Sequence, residues 1–498
     1  MFLAFLNPQG NFDPQDRYWT QHPDFGGQLV YVKQVALALG RMGHRVDILT
    51  RRIRDPQWPG LDAPLDGYPG APNVRIIRIP AGPDTFLPKE ELWPYIGPDW
   101  VAGILDFYRQ EGCFPDVFTA HYGDGGLAGV LLTEATGIPF TFTAHSLGAQ
   151  KMDGLGATPE NLAALDARYH FARRLAAERL SMNRSAVNIV STCQERFQQY
   201  GHRAYQGAVD VGDDRRFAVV PPGVDTAVFD PGARTPEEEV VRRRVLAALE
   251  RDIREDRRHL PCIVASSRLE PKKNHLGLVV AFAQNPALRK RANLLLVTPH
   301  LEDPLRREEG SPTEQEILAR IREVVRDHNL WGEIATVALA GHPALAAAYR
   351  LLARCRSVFA LTAWHEPFGL APLEAAATGL PVVVTRNGGP AEIWREDGEE
   401  YGVLVDPADP TDIARGLLRL LESPQTWEEF ARRGRERVLA RYTWERTAEG
   451  YLNVAQQVRE GDLLRPSGTL LPIPPYFRDP RPENDIPLEV LRGWYFGE

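Results

Sequence analysis

The stretch SVFALTAWHEPFGLAPLEAAATGLPVVVT, residues 357–385, contains the pattern that decides the predicted fold. It begins with the apolar run Ser357–Leu361 and ends with a second apolar run, Val382–Thr385. The segment between them predicts a helix at about Leu370–Thr378, which ends at Gly379. Two short apolar runs joined by a helix are typical of a βαβ unit with parallel strands.

The same pattern recurs along both halves of the chain. Strands are predicted at Phe2–Asn7, Arg45–Thr50, Val74–Ile79, Asp116–His121, Phe140–His145, Asn188–Thr192 and Ala218–Pro221 in the first half, and at Cys262–Ser266, Asn293–Thr298, Thr336–Ala340, Ser357–Leu361, Val382–Thr385 and Val403–Val405 in the second. Most are continuous apolar runs, which indicates strands buried on both faces of parallel sheets. The predicted fold class is therefore α/β, with two Rossmann-like doubly wound domains facing a cleft.

The predicted domains follow from these two arrays. Residues 1–222 form the first domain and residues 223–444 the second, with a hinge at Pro221–Asp225. Residues 445–464 are predicted to form a helix that crosses back to the first domain. Residues 465–498 form a proline-rich tail without periodicity, which we expect to be extended over the surface or partly disordered.

Composition excludes several classes of protein. The 498 residues carry a formal net charge of -8, which gives no support for nucleic-acid binding. Four scattered cysteines favour neither a disulfide scaffold nor a zinc site, and they fit a reduced, cytoplasmic location. No apolar run approaches the length of a membrane span, and the apolar N-terminus is interpreted as a buried strand and not as a signal peptide.

Two glutamates frame the turn HEPFGLAPLE at 365–374. Glu366 lies in the turn before the predicted helix, and Glu374 lies inside that helix. The turn follows a parallel strand, so its backbone N–H groups lie at the edge where α/β sheets bind ligands, and a helix N-terminus attracts anions. Carboxylates accept hydrogen bonds from sugar or ribose hydroxyls. The alternative is a solvated helix with ordinary surface glutamates.

The segment SSRLEPKKN at 266–274 places two cations just after the first strand of the second domain. Arg268 offers a bidentate fork and Lys273 a point charge, so together they can hold a diphosphate and stabilise a leaving group. The alternative is a solvated basic loop. In the first domain, Gly26, Gly27 and Gln28 open the first helix, where paired glycines allow a ligand to approach the backbone.

Further candidates in the first domain are basic or imidazole side chains. The cations are Lys89, Lys151, Arg173 and Arg174, each of which can equally be a solvated surface charge. His145 follows a buried strand, where it can donate to or accept from a sugar hydroxyl, or can be a core histidine. His121 has a similar position and is the weaker candidate. The acidic cluster Asp210–Asp214 has no metal-ligand spacing and is interpreted as a solvated turn.

Several motifs together resemble the retaining glycosyltransferases of the two-Rossmann-domain (GT-B) type that include sucrose synthases and sucrose-phosphate synthases. The spaced Glu366 and Glu374 and the pair Arg268 and Lys273 mark the family. In the N-terminal half, NPQG at 7–10, PDFGGQ at 23–28, LPKEELWPY at 87–95 and HSLG at 145–148 are similar to the short bacterial sucrose-phosphate synthases. The resemblance covers about residues 1–460.

The resemblance implies a role for each candidate. It implies a catalytic set of His145, Glu366, Arg268 and Lys273. It implies donor binding by Arg268, Lys273, Glu366, Glu374 and the amides of Phe368, Gly369 and Leu370, and acceptor binding by Gly26, Gly27, Gln28, Lys89, Lys151, Arg173 and Arg174. The first domain is then the acceptor-binding one and the second the nucleotide-sugar-binding one. No metal ligand is implied, no cofactor is required, and magnesium is left open as an activator without an identified site.

The implied reaction transfers glucose from UDP-glucose to fructose 6-phosphate with retention, by front-face attack in which the leaving phosphate accepts the proton. The alternatives left open are a mannosylfructose-phosphate synthase, a sucrose synthase acting on free fructose, and a non-catalytic sugar-phosphate sensor. A separate sucrose-phosphate phosphatase is the expected partner, because no phosphatase segment follows. TPHLED at 298–303 departs from the family pattern, which leaves the donor base open.

Overall fold

A computed structural model describes residues 1–9, 11–19, 21–22, 24–461 and 469–497. The chain divides into two compact units. Unit 1 comprises Met1–Pro221 and Thr447–Glu498, and unit 2 comprises Pro222–Arg446. The first segment of unit 1 ends one residue before the predicted boundary at 222, and the chain after Arg446 belongs to unit 1.

Unit 1 is built on an eight-stranded sheet. Its strands are β1 Phe2–Leu6, β2 Arg45–Arg51, β3 Leu65–Tyr68, β4 Ala71–Ile79, β5 Val117–His121, β6 Phe140–Thr143, β7 Val187–Val190 and β8 Phe217–Val219. Their order is β3-β4-β2-β1-β5-β6-β7-β8, and all neighbours are parallel except β3 and β4. β1, β5, β6 and β7 are buried throughout, as expected for strands covered by helices on both faces.

The first seven helices belong to unit 1. They are α1 Gly27–Arg41, α2 Trp93–Tyr95, α3 Ala102–Glu111, α4 Tyr122–Thr136, α5 Gly148–Gly154, α6 Leu162–Tyr169 and α7 Phe171–Arg184. α4 and α7 are the most deeply buried and pack on each other over the sheet. Small residues of α4 allow this close approach, since a Cβ at Gly126 would lie 2.1 Å from the Ser181 hydroxyl on α7.

Unit 2 contains a six-stranded, fully parallel sheet. Its strands are β9 Cys262–Ser266, β10 Asn293–Thr298, β11 Ile334–Ala338, β12 Val358–Leu361, β13 Val382–Thr385 and β16 Val403–Val405, while β14 Arg395–Glu396 and β15 Glu399–Glu400 form a separate small hairpin. The order β11-β10-β9-β12-β13-β16 places β9 at the centre, where the strand order reverses. This reversal is the position at which doubly wound sheets bind ligands.

Within the described residues 222–446, nine helices surround this sheet. They are α8 Glu238–Asp252, α9 His275–Gln284, α10 Pro286–Arg291, α11 Pro312–Asp327, α12 His342–Arg354, α13 Leu370–Ala377, α14 Pro390–Ile393, α15 Pro410–Leu421 and α16 Pro424–Arg441. α11 begins with a capping box, in which the Ser311 hydroxyl and the Glu314 carboxylate each accept from the other residue's backbone. With both sheets described, the prediction of two doubly wound α/β units is confirmed.

Several strand bounds differ from the predicted ones by one to three residues: β4 begins at Ala71 and not at Val74, and β7 and β8 end at Val190 and Val219, two residues earlier than predicted. β6 ends at Thr143, before the predicted His145, because His145 has a φ of 57°, which a strand cannot contain. β11 begins two residues earlier than predicted, since Ile334 pairs with Leu294. β3 was not predicted, because it is an exposed antiparallel edge strand without an apolar run.

The prediction for the C-terminal tail is wrong over its described part. After α17 Trp444–Glu460, residues 469–497 contain α18 Leu488–Phe496, and Tyr476, Phe477 and Leu491 are buried in the core of unit 1. The aromatic and aliphatic side chains between the prolines provide enough apolar surface to hold the segment in place. The predicted tail residues 465–468 and 498 lie outside the described residues, as do residues 462–464.

No helix among the described residues combines the length and apolar character needed to cross a membrane.

We expect Leu491→Ala to destabilise unit 1 by about 2–5 kcal/mol, because Leu491 is fully buried and its removal leaves a cavity. Thermal unfolding followed by circular dichroism measures the loss. Val490→Ala, at a neighbouring position that is 37% exposed, is the matched control and should leave the midpoint nearly unchanged. Equal midpoints for Leu491→Ala and the wild type would show that the tail does not contribute to the core.

Candidate active site

The turn between β12 and α13 is held by the loop after β13. The Glu366 N–H donates to Asn387 O at 3.0 Å, and the Gly389 N–H donates to Glu366 O at 3.0 Å. Gly388 lies against this turn with a φ of 102°, and a Cβ there would lie 1.9 Å from Glu366 O. Only glycine fits so close a backbone approach, so these two loops fix the position of Glu366.

Lys273 reaches the same turn from the loop after β9. Its Nζ lies 2.7 Å from Glu366 Oε2, and Glu366 is buried. The backbone supports this pair, since the Trp364 N–H donates to Lys272 O at 3.0 Å. The carboxyl ends of β9, β12 and β13 therefore bring an ammonium and a carboxylate together, although they are 93 residues apart in the chain.

A cavity of about 200 Å³ lies at the carboxyl ends of β9, β10 and β11 in unit 2, and neither Lys273 nor Glu366 is among its lining residues. Its lining comprises Ser266, Ser267, Arg268, Val297, Thr298, Pro299, Leu339, Leu345, Tyr349, Ala371 and Glu374. Burial raises the pKa of the Glu374 carboxyl, and its Oε1 lies 3.7 Å from His342 Nε2. The cavity thus combines an apolar wall with a few polar groups, as small-molecule sites do.

Arg268 stands at the mouth of this cavity. Its side chain is 71% exposed, and Nη1 lies 2.9 Å from Glu270 Oε1. The same carboxylate also pairs with Lys272, whose Nζ lies 2.9 Å from Oε2. An exposed guanidinium held only by a surface ion pair is free to exchange that partner for an incoming anion.

The N-terminus of α13 offers backbone donors near these side chains. In the described chain, the N–H groups of Phe368, Gly369 and Leu370 donate to no other residue. Gly369 precedes the helix with a φ of 99°, which turns the chain from the Glu366 loop into α13. Free amides at the start of a helix are suited to phosphate or hydroxyl oxygens.

No sequence motif marked the apolar wall of the cavity. Leu339 follows β11, and Leu345 and Tyr349 lie one turn apart on α12. Their spacing is that of ordinary core residues, so sequence alone does not distinguish a wall from a core. Thr298 and Pro299, where the chain departs from the family pattern, also line the cavity.

In unit 1, the predicted glycine-rich turn leads into α1. Gly26 precedes the helix, Gly27 begins it, and Gln28 Nε2 donates to Asn7 Oδ1 at 3.1 Å. A Cβ on Gly27 would meet nothing within 4 Å, so this part of the turn is open. Gly10 and Pro23, two residues of the predicted motifs, lie outside the described residues.

Each of the four predicted cations of unit 1 is paired with a carboxylate. The pairs are Lys89 with Asp24, Lys151 with Glu90, Arg173 with Asp485, and Arg174 with Glu178. Burial lowers the pKa of the Lys151 ammonium, and the charges of Arg174 and Lys89 are near enough to lower it further. Lys151 pairs with Glu90, the residue after Lys89, and the Glu178 carboxylate that pairs with Arg174 also accepts from the Gly148 N–H at the start of α5, the helix that carries Lys151. The structure therefore places Lys89, Lys151 and Arg174 in one region of unit 1, whereas Arg173 pairs with Asp485 in the C-terminal segment.

His145 is held by His121 at the ends of β6 and β5. His145 Nε2 lies 2.8 Å from His121 Nδ1, and the His121 ring stacks on Phe5 with centroids 5.3 Å apart. Burial lowers the pKa of His145 to about 3 and that of His121 well below its usual range. Both rings are therefore neutral at pH 7, and only one nitrogen of His145 is engaged by its partner.

Among the described residues, no group of three or more His, Cys, Asp or Glu side chains is arranged to hold a metal ion.

We expect the folded state to lose stability below about pH 6.5, because His145 stays neutral in the fold and takes up a proton on unfolding. The loss continues down to about pH 3, the folded pKa. The fall of the thermal midpoint between pH 8 and pH 5 measures it, and His145→Gln should show a shallower fall. His259→Gln, at an exposed position, is the control. Parallel curves for wild type and His145→Gln would contradict the prediction.

Comparison with protein families matches both units. Residues 26–223 match the glycosyl transferase 4-like domain, and residues 250–437 match the glycosyl transferases group 1. Among solved structures, the sucrose-phosphate synthase of Thermosynechococcus elongatus covers 92% of this chain and 99% of its own, with 26% identity and a TM-score of 0.64. Anabaena HepE in complex with UDP-glucose shares the fold, with 17% identity, a TM-score of 0.56, and coverage of 92% of this chain and 100% of its own.

The curated relatives identify one family among these glycosyltransferases. A probable sucrose-phosphate synthase from Thermosipho melanesiensis is 40% identical over 459 residues, which is 92% of this chain and 97% of the relative. The plant relatives are longer, and the chain spans about half their length. A probable sucrose-phosphate synthase from Solanum tuberosum, for example, is 32% identical over 91% of this chain, and the match covers 47% of that relative. The chain belongs to the sucrose-phosphate synthase family, glycosyltransferases of the GT-B fold.

Proposed function

We propose that the chain transfers glucose from UDP-glucose to fructose 6-phosphate, giving sucrose 6-phosphate and UDP with retention of the anomeric configuration. The observation that carries this proposal is that Lys89, Lys151 and Arg174, the cation cluster, lie in one region of unit 1, each paired with a carboxylate. A phosphate can take the place of a carboxylate beside such cations, whereas a neutral sugar cannot, which favours a phosphorylated acceptor over a free sugar.

The donor occupies unit 2 in this proposal. Arg268 and Lys273 hold the diphosphate, and Glu374 accepts hydrogen bonds from the ribose hydroxyls at the inner end of the cavity. The apolar wall packs against the base. Family membership supports UDP-glucose as the donor, and HepE, which shares the fold, holds that molecule.

The transferred glucose is contacted by Glu366 and His145, and the free amides of Phe368, Gly369 and Leu370 face its phosphates. In the transfer, the bond between glucose C1 and the β-phosphate oxygen of UDP breaks. The acceptor hydroxyl oxygen forms the new bond to C1 on the same face, and its proton passes to the leaving phosphate oxygen. Lys273 stabilises the charge that develops on that oxygen, so the protein positions the reactants and offers no covalent nucleophile.

The acceptor lies against unit 1, with Gly26, Gly27 and Gln28 near its hydroxyls and Lys89, Lys151 and Arg174 near its phosphate. Arg173, paired with Asp485, supports this site from outside the cluster. The roles proposed here need no metal ligand, and an activating magnesium ion would act without a dedicated protein site. The product keeps its phosphate, so a separate phosphatase is proposed as the next enzyme.

A matrix of donors and acceptors tests the proposal. We expect UDP release to be fastest with UDP-glucose and fructose 6-phosphate, and slow with free fructose, because only the phosphate engages the cation cluster. A coupled assay for UDP, with sucrose 6-phosphate identified by mass spectrometry, gives the rates. Equal rates with fructose would indicate a sucrose synthase, a preference for GDP-mannose would indicate a mannosylfructose-phosphate synthase, and no UDP release would indicate a sugar-phosphate sensor.

We expect Lys273→Ala to lower kcat by about a hundredfold or more, because it removes a charge that stabilises the leaving group. Steady-state kinetics with saturating donor and acceptor measures the effect. Lys272→Ala is the matched control, since this neighbouring side chain is 64% exposed and pairs only with Glu270 among the described residues. A loss of only about twofold for Lys273→Ala would remove Lys273 from the donor site.

A further inference from the structure

The cation cluster of unit 1 is neutralised before any ligand arrives. Its three members Lys89, Lys151 and Arg174 are matched by three carboxylates, Asp24, Glu90 and Glu178. A phosphate monoester carries a charge of about -1.5 to -2 at pH 7, and placing it beside three carboxylates is unfavourable. Phosphate binding at this cluster therefore requires one of the carboxylates to leave its cation.

Two of the three carboxylates are built into the fold. Glu178 is fully buried and accepts from the Gly148 N–H at 2.9 Å, the Arg174 Nε at 2.9 Å and the Tyr205 hydroxyl. Asp24 is buried and accepts from both the backbone N–H and the Nζ of Lys89. Removing Glu178 from its partners would leave several buried donors unsatisfied, and removing Asp24 would leave two partly buried donors of Lys89 unsatisfied; both are costly.

Glu90 is held much more loosely. Its carboxylate accepts one hydrogen bond in the described chain, from Lys151 Nζ at 3.1 Å, and its side chain is 21% exposed. It lies in the short turn Lys89–Glu91, whose three side chains are all at least partly accessible. A side-chain rotation is enough to carry the Glu90 carboxylate from Lys151 into water, where it regains its hydration.

Lys151 keeps its position when Glu90 leaves. Its Nζ lies 4.0 Å from the centroid of the Tyr169 ring, and the Phe171 ring centroid is 6.0 Å away. These cation–π contacts hold the ammonium on its aromatic neighbours independently of Glu90. The site left by Glu90 is then a fixed ammonium with its strongest hydrogen-bond partner removed.

We propose that Glu90 is an exchangeable counter-ion of Lys151, which the phosphate of the acceptor displaces. The inference rests on the proposed function. The attraction between a dianionic phosphate and the Lys151 ammonium offsets the free energy needed to displace the monoanionic Glu90 carboxylate, whereas a hydrogen bond from a neutral hydroxyl does not. Glu90 thus neutralises Lys151 while the site holds no phosphate, and a neutral sugar leaves this ion pair in place.

The test compares the full-length wild type with Glu90→Gln in binding and kinetics. Isothermal titration with inorganic phosphate should show binding tightened by about threefold to tenfold, because a repelling carboxylate is removed. The KM for fructose 6-phosphate should fall by a similar factor, while kcat and the KM for UDP-glucose change by less than about twofold. Glu90→Ala serves as a second variant if Glu90→Gln folds poorly, as judged by its thermal midpoint.

Glu91→Gln is the matched control, since it removes the neighbouring, exposed carboxylate of the same turn and should leave phosphate binding unchanged. Lys151→Met should weaken phosphate binding in the presence or absence of Glu90. Unchanged or weaker phosphate binding by Glu90→Gln would overturn the inference and make Glu90 a residue that positions Lys151. The titration with inorganic phosphate decides this whether or not sucrose 6-phosphate is formed, whereas absent transfer in the wild type would refute only the proposed function.

Discussion

Parallel pairing of buried strands is the constraint on which both units depend. In unit 2, β9 pairs on one side with β10 and on the other with β12, and all three strands are covered on both faces. Such strands carry a polar side chain only where a partner satisfies it, as Arg257 does for Asn293 on β10. The charged residues of the candidate site lie instead in loops at the strand ends, and parallel pairing brings those loops to one edge.

The loops of unit 2 show the consequence. Lys273 and Glu366 come from loops that follow β9 and β12, and the ion pair between them is the point where the two loops meet. Gly388, in the loop after β13, packs directly against the backbone of Glu366. The site is thus preorganised by backbone contacts, so a ligand does not have to order it.

Charge pairing is the second organising interaction. Arg268, Lys151 and Arg174 each rest on a carboxylate of their own unit. These ion pairs differ in their exposure to solvent. The pair of Arg174 with Glu178 is buried and permanent, whereas the pair of Arg268 with Glu270 is exposed and exchangeable. A protein with a net charge of -8 can in this way keep cations ready for anionic substrates without an unpaired positive patch.

Much of the fold followed from the sequence, because continuous apolar runs and the turn at 365–374 are local signals. The predictions that were wrong concern residues whose conformation or burial depends on partners far away in the sequence. His145 was placed in a strand, but contact with His121 holds it in a left-handed conformation after the strand ends. Tyr476 and Phe477 were assigned to a loose tail, but they complete the core of unit 1.

The sequence by itself determined the two parallel α/β units and the candidate residues at their strand ends, since periodicity and turn chemistry act over short distances. Only the tertiary structure decided which carboxylate neutralises which cation, that Tyr476, Phe477 and Leu491 complete the core of unit 1, and that Leu339, Leu345 and Tyr349 form one wall of a cavity. These facts depend on contacts between segments far apart in the chain, and no local pattern encodes the partner of Lys151 or of Glu366.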